Sequence, residues 1–181
     1  VTGFSPGAPS IIYTLPSGCT ASHLVNVYQT PTGISGTFQA CEGGAQTLTN
    51  GYSGGVWTSS SPAIGSIDAT TGDVAALTPG PTTITYTLTG GCTAVVVFTV
   101  NPNPAAIGGT TNVCEGLTTT LTDATSSGVW TSSAPGVATI WSGAGIVDGI
   151  SAGSTNISYT LATGCYATVP FTVNPVPAAI T

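Results

Sequence analysis

The chain repeats itself with a fixed period of 73 residues, and no gap is needed to keep the copies in step. Positions one period apart carry the same uncommon residue types: Cys19, Cys92 and Cys165; Cys41 and Cys114; Trp57 and Trp130; and Tyr13, Tyr86 and Tyr159. Self-similarity at a fixed period means that one folding unit is copied along an array. Function is therefore expected to lie in the array rather than in one unique pocket.

The period divides the chain into three predicted domains. Residues 36–108 form one full repeat, residues 109–181 form a second, and residues 1–35 match only the second half of a repeat. We interpret the first segment as part of a longer array that begins mid-domain; completion by another subunit is the alternative. Pro-rich joints close both full repeats and predict semi-rigid linkers, at Asn101-Pro102-Asn103-Pro104 and Asn174-Pro175-Val176-Pro177.

Within each repeat, apolar and hydroxyl-bearing residues alternate. Residues 84–88 read Ile-Thr-Tyr-Thr-Leu, and residues 157–161 read Ile-Ser-Tyr-Thr-Leu. Strict alternation is typical of half-buried β-strands, and no helical period of any length is present. About seven short strands per 73 residues, separated by Gly, Pro, Asn and Ser clusters, predict an all-β fold of small antiparallel β-sandwiches.

The cysteines follow the repeat, and each full repeat contains two that are 51 residues apart. This spacing predicts the disulfides Cys41–Cys92 and Cys114–Cys165, with the partner of Cys19 outside the chain. A loop of about 50 residues closed by a disulfide would stabilise a small domain by roughly 4 kcal/mol. A zinc site is the competing interpretation, but zinc knuckles use two cysteines only two to four residues apart, and no such pair occurs. Disulfides imply an extracellular or cell-surface location.

The charge composition restricts the partners. The chain has six acidic residues and no Lys or Arg, whereas a typical chain of this length would carry on the order of 45 charged residues. Without cations there is no basic patch for nucleic acid or anionic lipid. No apolar run approaches the roughly 18 residues that span a bilayer, so membrane insertion is not expected. The 34 Thr and 18 Ser supply a hydroxyl-rich surface that permits self-association without charge repulsion.

The body of each repeat resembles the bacterial immunoglobulin-like repeats of the intimin and invasin type (group 2). The first copy carries the resemblance at Gly55-Val56-Trp57-Thr58-Ser59-Ser60-Ser61-Pro62, Ile64, Ile67, Gly72-Asp73-Val74, Pro79-Gly80 and Thr83-Ile84-Thr85-Tyr86. The second matches at Gly128-Val129-Trp130-Thr131-Ser132-Ser133, Val137-Ala138-Thr139-Ile140, Gly145-Ile146-Val147, Ile150-Ser151-Ala152-Gly153 and Ile157-Ser158-Tyr159. The cysteine pair and the Val-Asn-Pro segment look like the disulfide-bearing repeats of very long bacterial surface proteins. The resemblance implies tandem immunoglobulin-like sandwiches and carries over no catalytic residue.

Four aromatic residues are predicted to lie in the core, with the tryptophans packed on the disulfides: Trp57, Trp130, Tyr86 and Tyr159. Trp141 is different, because its counterpart one period earlier is Asp68. A position that accepts a charge should be exposed, and an exposed Trp can anchor a neighbouring chain or a sugar ring.

The remaining candidates favour no enzyme, metal or cofactor. His23, the single histidine, lies in a segment without acidic residues and aligns with Val96 and Val169. The acids are too scattered for a dense calcium site. The sequence therefore predicts a structural component of an extracellular bacterial filament or cell-surface rod. The alternative is a surface adhesin stalk or tip that binds glycans or another surface.

Overall fold

The structure is a computed structural model that describes residues 2–177. Residue 1 and residues 178–181, the outermost positions of the first and last predicted domains, lie outside the described residues. All regular structure in residues 2–177 is β-strand, and this part of the chain contains no apolar helix long enough to cross a membrane. The chain forms two compact units, residues 1–100 and residues 101–181. Each unit is described separately below.

The first unit contains a hairpin and a sandwich. The hairpin is formed by β1 (Ser10–Thr14) and β2 (Thr20–Leu24), which pair in antiparallel fashion. One sheet of the sandwich has the strand order β3-β9-β8-β5, and the other has the order β4-β7-β6. Their bounds are β3 (Gln39–Cys41), β4 (Ala45–Thr47), β5 (Val56–Ser59), β6 (Gly65–Ile67), β7 (Asp73–Ala76), β8 (Gly80–Thr87) and β9 (Thr93–Asn101).

The second unit repeats this architecture with one additional short strand. One sheet has the order β11-β17-β16-β13, and the other has the order β10-β12-β15-β14. Their bounds are β10 (Gly108–Gly109), β11 (Asn112–Cys114), β12 (Thr118–Thr122), β13 (Val129–Ser132), β14 (Ala138–Ile140), β15 (Ile146–Gly149), β16 (Gly153–Thr160) and β17 (Tyr166–Asn174). The strands predicted from alternation are thus present, and β5 and β13, like β8 and β16, begin one period apart.

Each sandwich buries its apolar residues between its two sheets. In the first, Phe98, Leu48 and Ile84 are completely buried; in the second, Phe171 and Ile157 occupy the same role. Burial of such side chains stabilises a fold by about 1.5–3 kcal/mol each. Because alternation places every second side chain inside, the intervening Thr and Ser face outward.

The pairing of β11 with β17 departs from the expected antiparallel arrangement. β11 runs parallel to β17, with Asn112 opposite Thr172 and Cys114 opposite Asn174. Because the two strands are parallel, β11 ends at the same end of the sheet as β17. Cys114, the last residue of β11, therefore lies beside the last residue of β17.

The hairpin of residues 10–24 has the same strand pairing as β8 and β9 one period later. Tyr13 pairs with Ala21, just as Tyr86 pairs with Ala94 one period later. All ten residues of the two hairpin strands are exposed, and Tyr13 is 66% exposed whereas Tyr86 is 4% exposed. The local pattern therefore specifies the hairpin, but a second sheet is needed to bury it.

The compact units do not divide at the predicted boundary between residues 108 and 109. The backbone N–H of Ala105 donates to Thr125 Oγ1 at 2.9 Å, and Gly108 pairs with Thr122. Residues 101–108 therefore belong structurally to the second unit. The repeat boundaries given above remain a prediction about the copied sequence unit.

Candidate functional site

A tyrosine hydroxyl clamps the loop at the same end of each sandwich. Tyr86 Oη donates to the Tyr52 carbonyl at 2.7 Å and accepts from the Gly55 N–H at 2.8 Å. One period later, Tyr159 Oη donates to the Thr125 carbonyl and accepts from the Gly128 N–H, both at 2.8 Å. We call this the proximal end, because in the second unit the linker at Ala105 also attaches there, to Thr125. The opposite end is called the distal end.

The clamp tyrosines pack against the core tryptophans. The ring centroids of Trp57 and Tyr86 are 4.5 Å apart, and those of Trp130 and Tyr159 are 4.7 Å apart, in tilted geometry. Such aromatic pairs contribute about 0.5–1.5 kcal/mol beyond their buried area. The four predicted core residues are at least 94% buried, but each tryptophan stacks on a tyrosine, not on a disulfide.

A shallow cleft lies beside each aromatic pair. In the first unit it measures about 260 Å³ and is lined by Trp57, Tyr86 and loop residues that include Asn50 and Thr71. In the second unit the corresponding cleft is lined by residues that include Trp130, Tyr159, Asp123 and Gly143. The clefts offer aromatic edges and hydroxyls, which are groups suited to contact with another chain or a sugar.

Two buried threonines hold the turn after β5 and β13. Thr82 Oγ1 lies 2.8 Å from Ser59 Oγ and accepts from the Ser61 N–H at 3.1 Å. Thr155 Oγ1 makes the same contacts with Ser132 Oγ and the Ala134 N–H. The alternation pattern marks these positions as inward-facing but does not reveal their role. The sequence signal for this role is that Thr recurs one period apart, at Thr82 and Thr155.

The two repeats differ at one polar position of the proximal end. Asn50 Nδ2 donates to the Thr32 carbonyl at 2.7 Å, while Asn50 Oδ1 accepts from the Tyr52 N–H. Asp123 occupies the equivalent position and accepts from the Thr125 N–H through Oδ1. Its Oδ2 is buried without a hydrogen-bond partner. A buried acceptor left unpaired lowers stability, so Asp123 is a weak point of the second repeat.

We expect Asp123→Asn to stabilise the second unit by about 1 kcal/mol, because the amide can donate as Asn50 does. The measurement is urea unfolding of the full chain, with hydrogen exchange read on peptides from residues 101–177. Asn50→Asp is the reverse control and should destabilise the first unit. Equal or lower stability of Asp123→Asn would contradict this assignment.

Two carboxylates organise the turn between β6 and β7. The backbone N–H groups of Thr71 and Thr70 donate to Asp68 Oδ1, both at 2.8 Å, and lower the pKa of Asp68. The hydroxyls of Thr47 and Thr71 donate to Asp73 and lower its pKa. The turn therefore favours both carboxylates in the ionised form.

These shifts predict a stability loss of the first unit in acid. A folded-state pKa below the unfolded value means that the folded protein binds protons less tightly. The stabilisation is complete above the unfolded pKa of roughly 3.9 and disappears as the pH falls through the lower folded pKa. Asp73→Asn should therefore flatten the acid limb of the urea midpoint plotted against pH. A midpoint that rises towards low pH in the parent chain would refute the prediction.

Trp141 lies on the surface of the second sandwich. Its side chain is 61% exposed, and its indole Nε1 donates to Asp148 Oδ2 at 3.2 Å. In the first repeat Asp68 stands at this position and Ala75 stands in place of Asp148. The indole is thus both exposed and oriented by a carboxylate.

The cysteines do not form the predicted pairs. Cys92 and Cys114 are free thiols, as is Cys19, whereas Cys41 and Cys165 are disulfide-bonded. The parallel pairing of β11 places Cys114 opposite Asn174, nine residues beyond Cys165. At about 3.3 Å per residue this separates them by roughly 30 Å, far beyond the 7 Å limit for bridged Cα atoms. A disulfide between cysteines 51 residues apart would require β11 to run antiparallel to β17, which would place Cys114 near the start of β17.

The same separation holds in the first sandwich. The Thr99 N–H donates to the Phe38 carbonyl at 2.9 Å, which matches the bond from the Thr172 N–H to the Thr111 carbonyl. Cys41 therefore lies near the C-terminal end of β9, and Cys92 immediately precedes the first residue of that strand. The disulfide Cys41–Cys92 is thus excluded for the same geometric reason.

His23 is exposed and pairs with Ile11 across the hairpin. The residues one and two periods later, Val96 and Val169, pack against the cores of their sandwiches, whereas the strand of His23 has no covering sheet. Among residues 2–177, no group of three or more His, Cys, Asp or Glu side chains is placed to hold a metal ion.

The fold can be compared with solved structures. The C-terminal 282-residue fragment of intimin, in complex with the intimin-binding domain of the translocated intimin receptor, matches 81% of this chain with a TM-score of 0.52 and 16% identity. The chain has an immunoglobulin-like β-sandwich fold. This immunoglobulin-like chain covers 64% of the intimin fragment.

A second similar structure is that of domains 4 and 5 of the S-layer protein SbsC. The two sequences are 20% identical, and the match covers 81% of this chain and all of the SbsC fragment, with a TM-score of 0.39. No protein-family model and no curated protein sequence matches the immunoglobulin-like chain.

Proposed function

We propose that the chain is a non-enzymatic structural component of an extracellular bacterial filament or cell-surface rod. The observation that carries this proposal is the uncharged outer face of one sheet in each sandwich, the sheet that contains β8 and β9 or β16 and β17. Strands β8, β9, β16 and β17 contain no charged residue. On the first sandwich the outward residues are mainly Thr and Val, with Val95 opposite Thr85 and Val97 opposite Thr83.

Such a face suits contact between copies of one protein. Val95 and Val97 are 64% and 57% exposed. Apolar and hydroxyl groups can be covered by a second copy without burying a charge, and identical copies do not repel each other through them. The likeness of fold to an intimin fragment supports a cell-surface setting for such an array.

Electron microscopy of the native material tests the proposal. A filament of end-to-end sandwiches should show an axial spacing of about 30–40 Å per repeat, since its longest strands have nine residues. Val95→Lys should abolish lateral order, because assembly would then bury an ammonium group at each contact. Leu117→Lys adds the same charge at another exposed position and serves as the control. Isolated strings without lateral or helical order would instead favour an adhesin stalk.

A specific observation also favours the adhesin alternative. Trp141 is exposed and oriented by Asp148, as in aromatic platforms that bind sugar rings. Trp141→Asp removes the platform while introducing the residue that the first repeat uses at this position. Glycan-array binding that is lost in this variant would establish the adhesin role, whereas unchanged binding would eliminate Trp141 from it.

A further inference from the structure

We propose that the open edge of β9, formed by residues 93–97, pairs with the same edge of a second copy of the chain. The pairing joins the first sandwiches of two copies through one continuous sheet. This contact depends on main-chain groups at the margin of the sheet, not on side chains of its outer face. It is therefore expected whether the array is a filament or an adhesin stalk.

The hydrogen bonds around β9 define which of its main-chain groups point away from β8. The Leu88 N–H donates to the Cys92 carbonyl at 2.9 Å, and β8 and β9 continue from this pair in antiparallel register. Bonding to an antiparallel neighbour alternates along a strand, so the even-numbered residues of β9 bond to β8 and the odd-numbered residues face away. The Thr99 N–H confirms this alternation, because it donates to the Phe38 carbonyl on the other side of β9.

Three odd-numbered residues at the start of β9 lie on an open edge: Thr93, Val95 and Val97. The neighbouring strand β3 begins after Phe38 and reaches only the C-terminal part of β9. Among the described residues of the first unit, β8 is the only strand that pairs with residues 93–97. Each of the three residues therefore presents one N–H donor and one C=O acceptor to a further strand.

The second sandwich blocks the equivalent edge. Pro170 of β17 stands one period after Val97, and proline has no N–H to donate. The Thr172 N–H donates to the Thr111 carbonyl, so the even-numbered residues of β17, including Pro170, face away from β16. Proline and charged side chains are common means of keeping sheet edges from pairing with other chains. β9 contains neither.

The open edge of β9 is complementary to itself. When two such strands run antiparallel with Val95 opposite Val95 of the second copy, Thr93 lies opposite Val97 and Val97 lies opposite Thr93. In each of these pairs both residues exchange N–H···O=C bonds, so every donor on the edge meets an acceptor. The arrangement has a two-fold axis, which is the commonest symmetry of homo-oligomers.

The side chains at this edge also fit a second copy. Val95 and Val97 are 64% and 57% exposed, and pairing would place them beside Val95 and Thr93 of the other strand. β-branched residues pack well across neighbouring strands. Since β9 carries no charge, identical strands can approach each other without repulsion.

Sedimentation equilibrium of the full chain tests the proposal. The parent chain should form a reversible dimer that dissociates in detergent without a reductant. Val97→Pro removes one N–H donor from each copy and should raise the dimer Kd about 25-fold or more, since each hydrogen bond contributes a factor of roughly 5. A parent chain that remains monomeric, or a Val97→Pro dimer as tight as the parent, would overturn the proposal.

The proline variant is expected to fold, because β17 keeps its strand geometry with Pro170 at the equivalent position. Val97→Thr is the matched control, since it replaces the outward apolar side chain and retains the N–H group. It should change the dimer Kd by no more than about fivefold. An equal loss of affinity in Val97→Thr and Val97→Pro would exclude edge pairing and assign the dimer to the outer face instead.

A gain of association provides a test that misfolding cannot imitate. Pro170→Val restores an N–H group to the edge of β17 and should yield assemblies larger than a dimer, because each copy then offers two open edges. Leu24→Pro makes the change of Val97→Pro one period earlier, in the hairpin, and should leave the dimer intact. A strictly dimeric Pro170→Val variant, or a monomeric Leu24→Pro variant, would contradict the assignment to β9.

Discussion

Gly72→Ala is expected to destabilise the first unit by about 3 kcal/mol. Gly72 has a φ of +80°, in the left-handed region that disfavours residues with a Cβ. A Cβ there would also overlap the Leu48 carbonyl oxygen and lie 3.1 Å from the Trp57 ring. Relief would require displacement of Leu48, whose N–H donates to the Gly72 carbonyl.

Gly43→Ala separates the two contributions. Gly43 has the same φ of +80°, but a Cβ there would meet nothing within 4 Å. Only backbone strain of about 1 kcal/mol is expected. Urea unfolding of both variants, with exchange protection read on peptides from residues 36–100, measures the difference. Similar losses in the two variants would show that the crowding beside Leu48 has no energetic consequence.

Tyr86→Phe is expected to cost about 2 kcal/mol, because removal of one hydroxyl leaves two backbone groups without a partner. The Gly55 N–H and the Tyr52 carbonyl both bind Tyr86 Oη in a partly buried setting. The phenyl ring can still pack on Trp57, so the loss reports the hydrogen bonds alone. The loop of residues 52–55 should therefore exchange its amide protons faster.

Tyr13→Phe is the matched control for this change. Tyr13 stands one period before Tyr86, in a hairpin of the same register, yet it is largely exposed. Its substitution should change stability by less than about 0.5 kcal/mol. A loss in Tyr13→Phe as large as that in Tyr86→Phe would mean that the effect arises in the unfolded chain.

The period and the alternation together predicted most of the strands. Residues 84–88 alternate strictly, and β8 buries Ile84 and Tyr86 as that pattern requires. The hairpin of residues 10–24 forms even without a covering sheet, since its register depends on local pairing and a tight turn. The role of Thr82 could also have been suspected, because Thr155 repeats it.

The candidate site was less predictable, because its features depend on contacts between distant segments. Asn50 and Asp123 differ by a single atom type, yet only the folded loop reveals that Asp123 Oδ2 lacks a donor. Trp141 was expected to be exposed from its exchange with Asp68, and it is; its hydrogen bond with Asp148 required the strand pairing of β14 with β15.

By itself, the sequence determined the copied unit, the β-strands and the identity of the core aromatic residues, because hydrophobic alternation is a local property that every repeat restates. Only the tertiary structure decided which cysteines can meet. The spacing of 51 residues is the same whether Cys114 lies at the proximal or the distal end, and the parallel pairing of β11 with β17 places it at the distal end. The direction of a short edge strand is set by long-range hydrogen bonds, and periodicity carries no information about it.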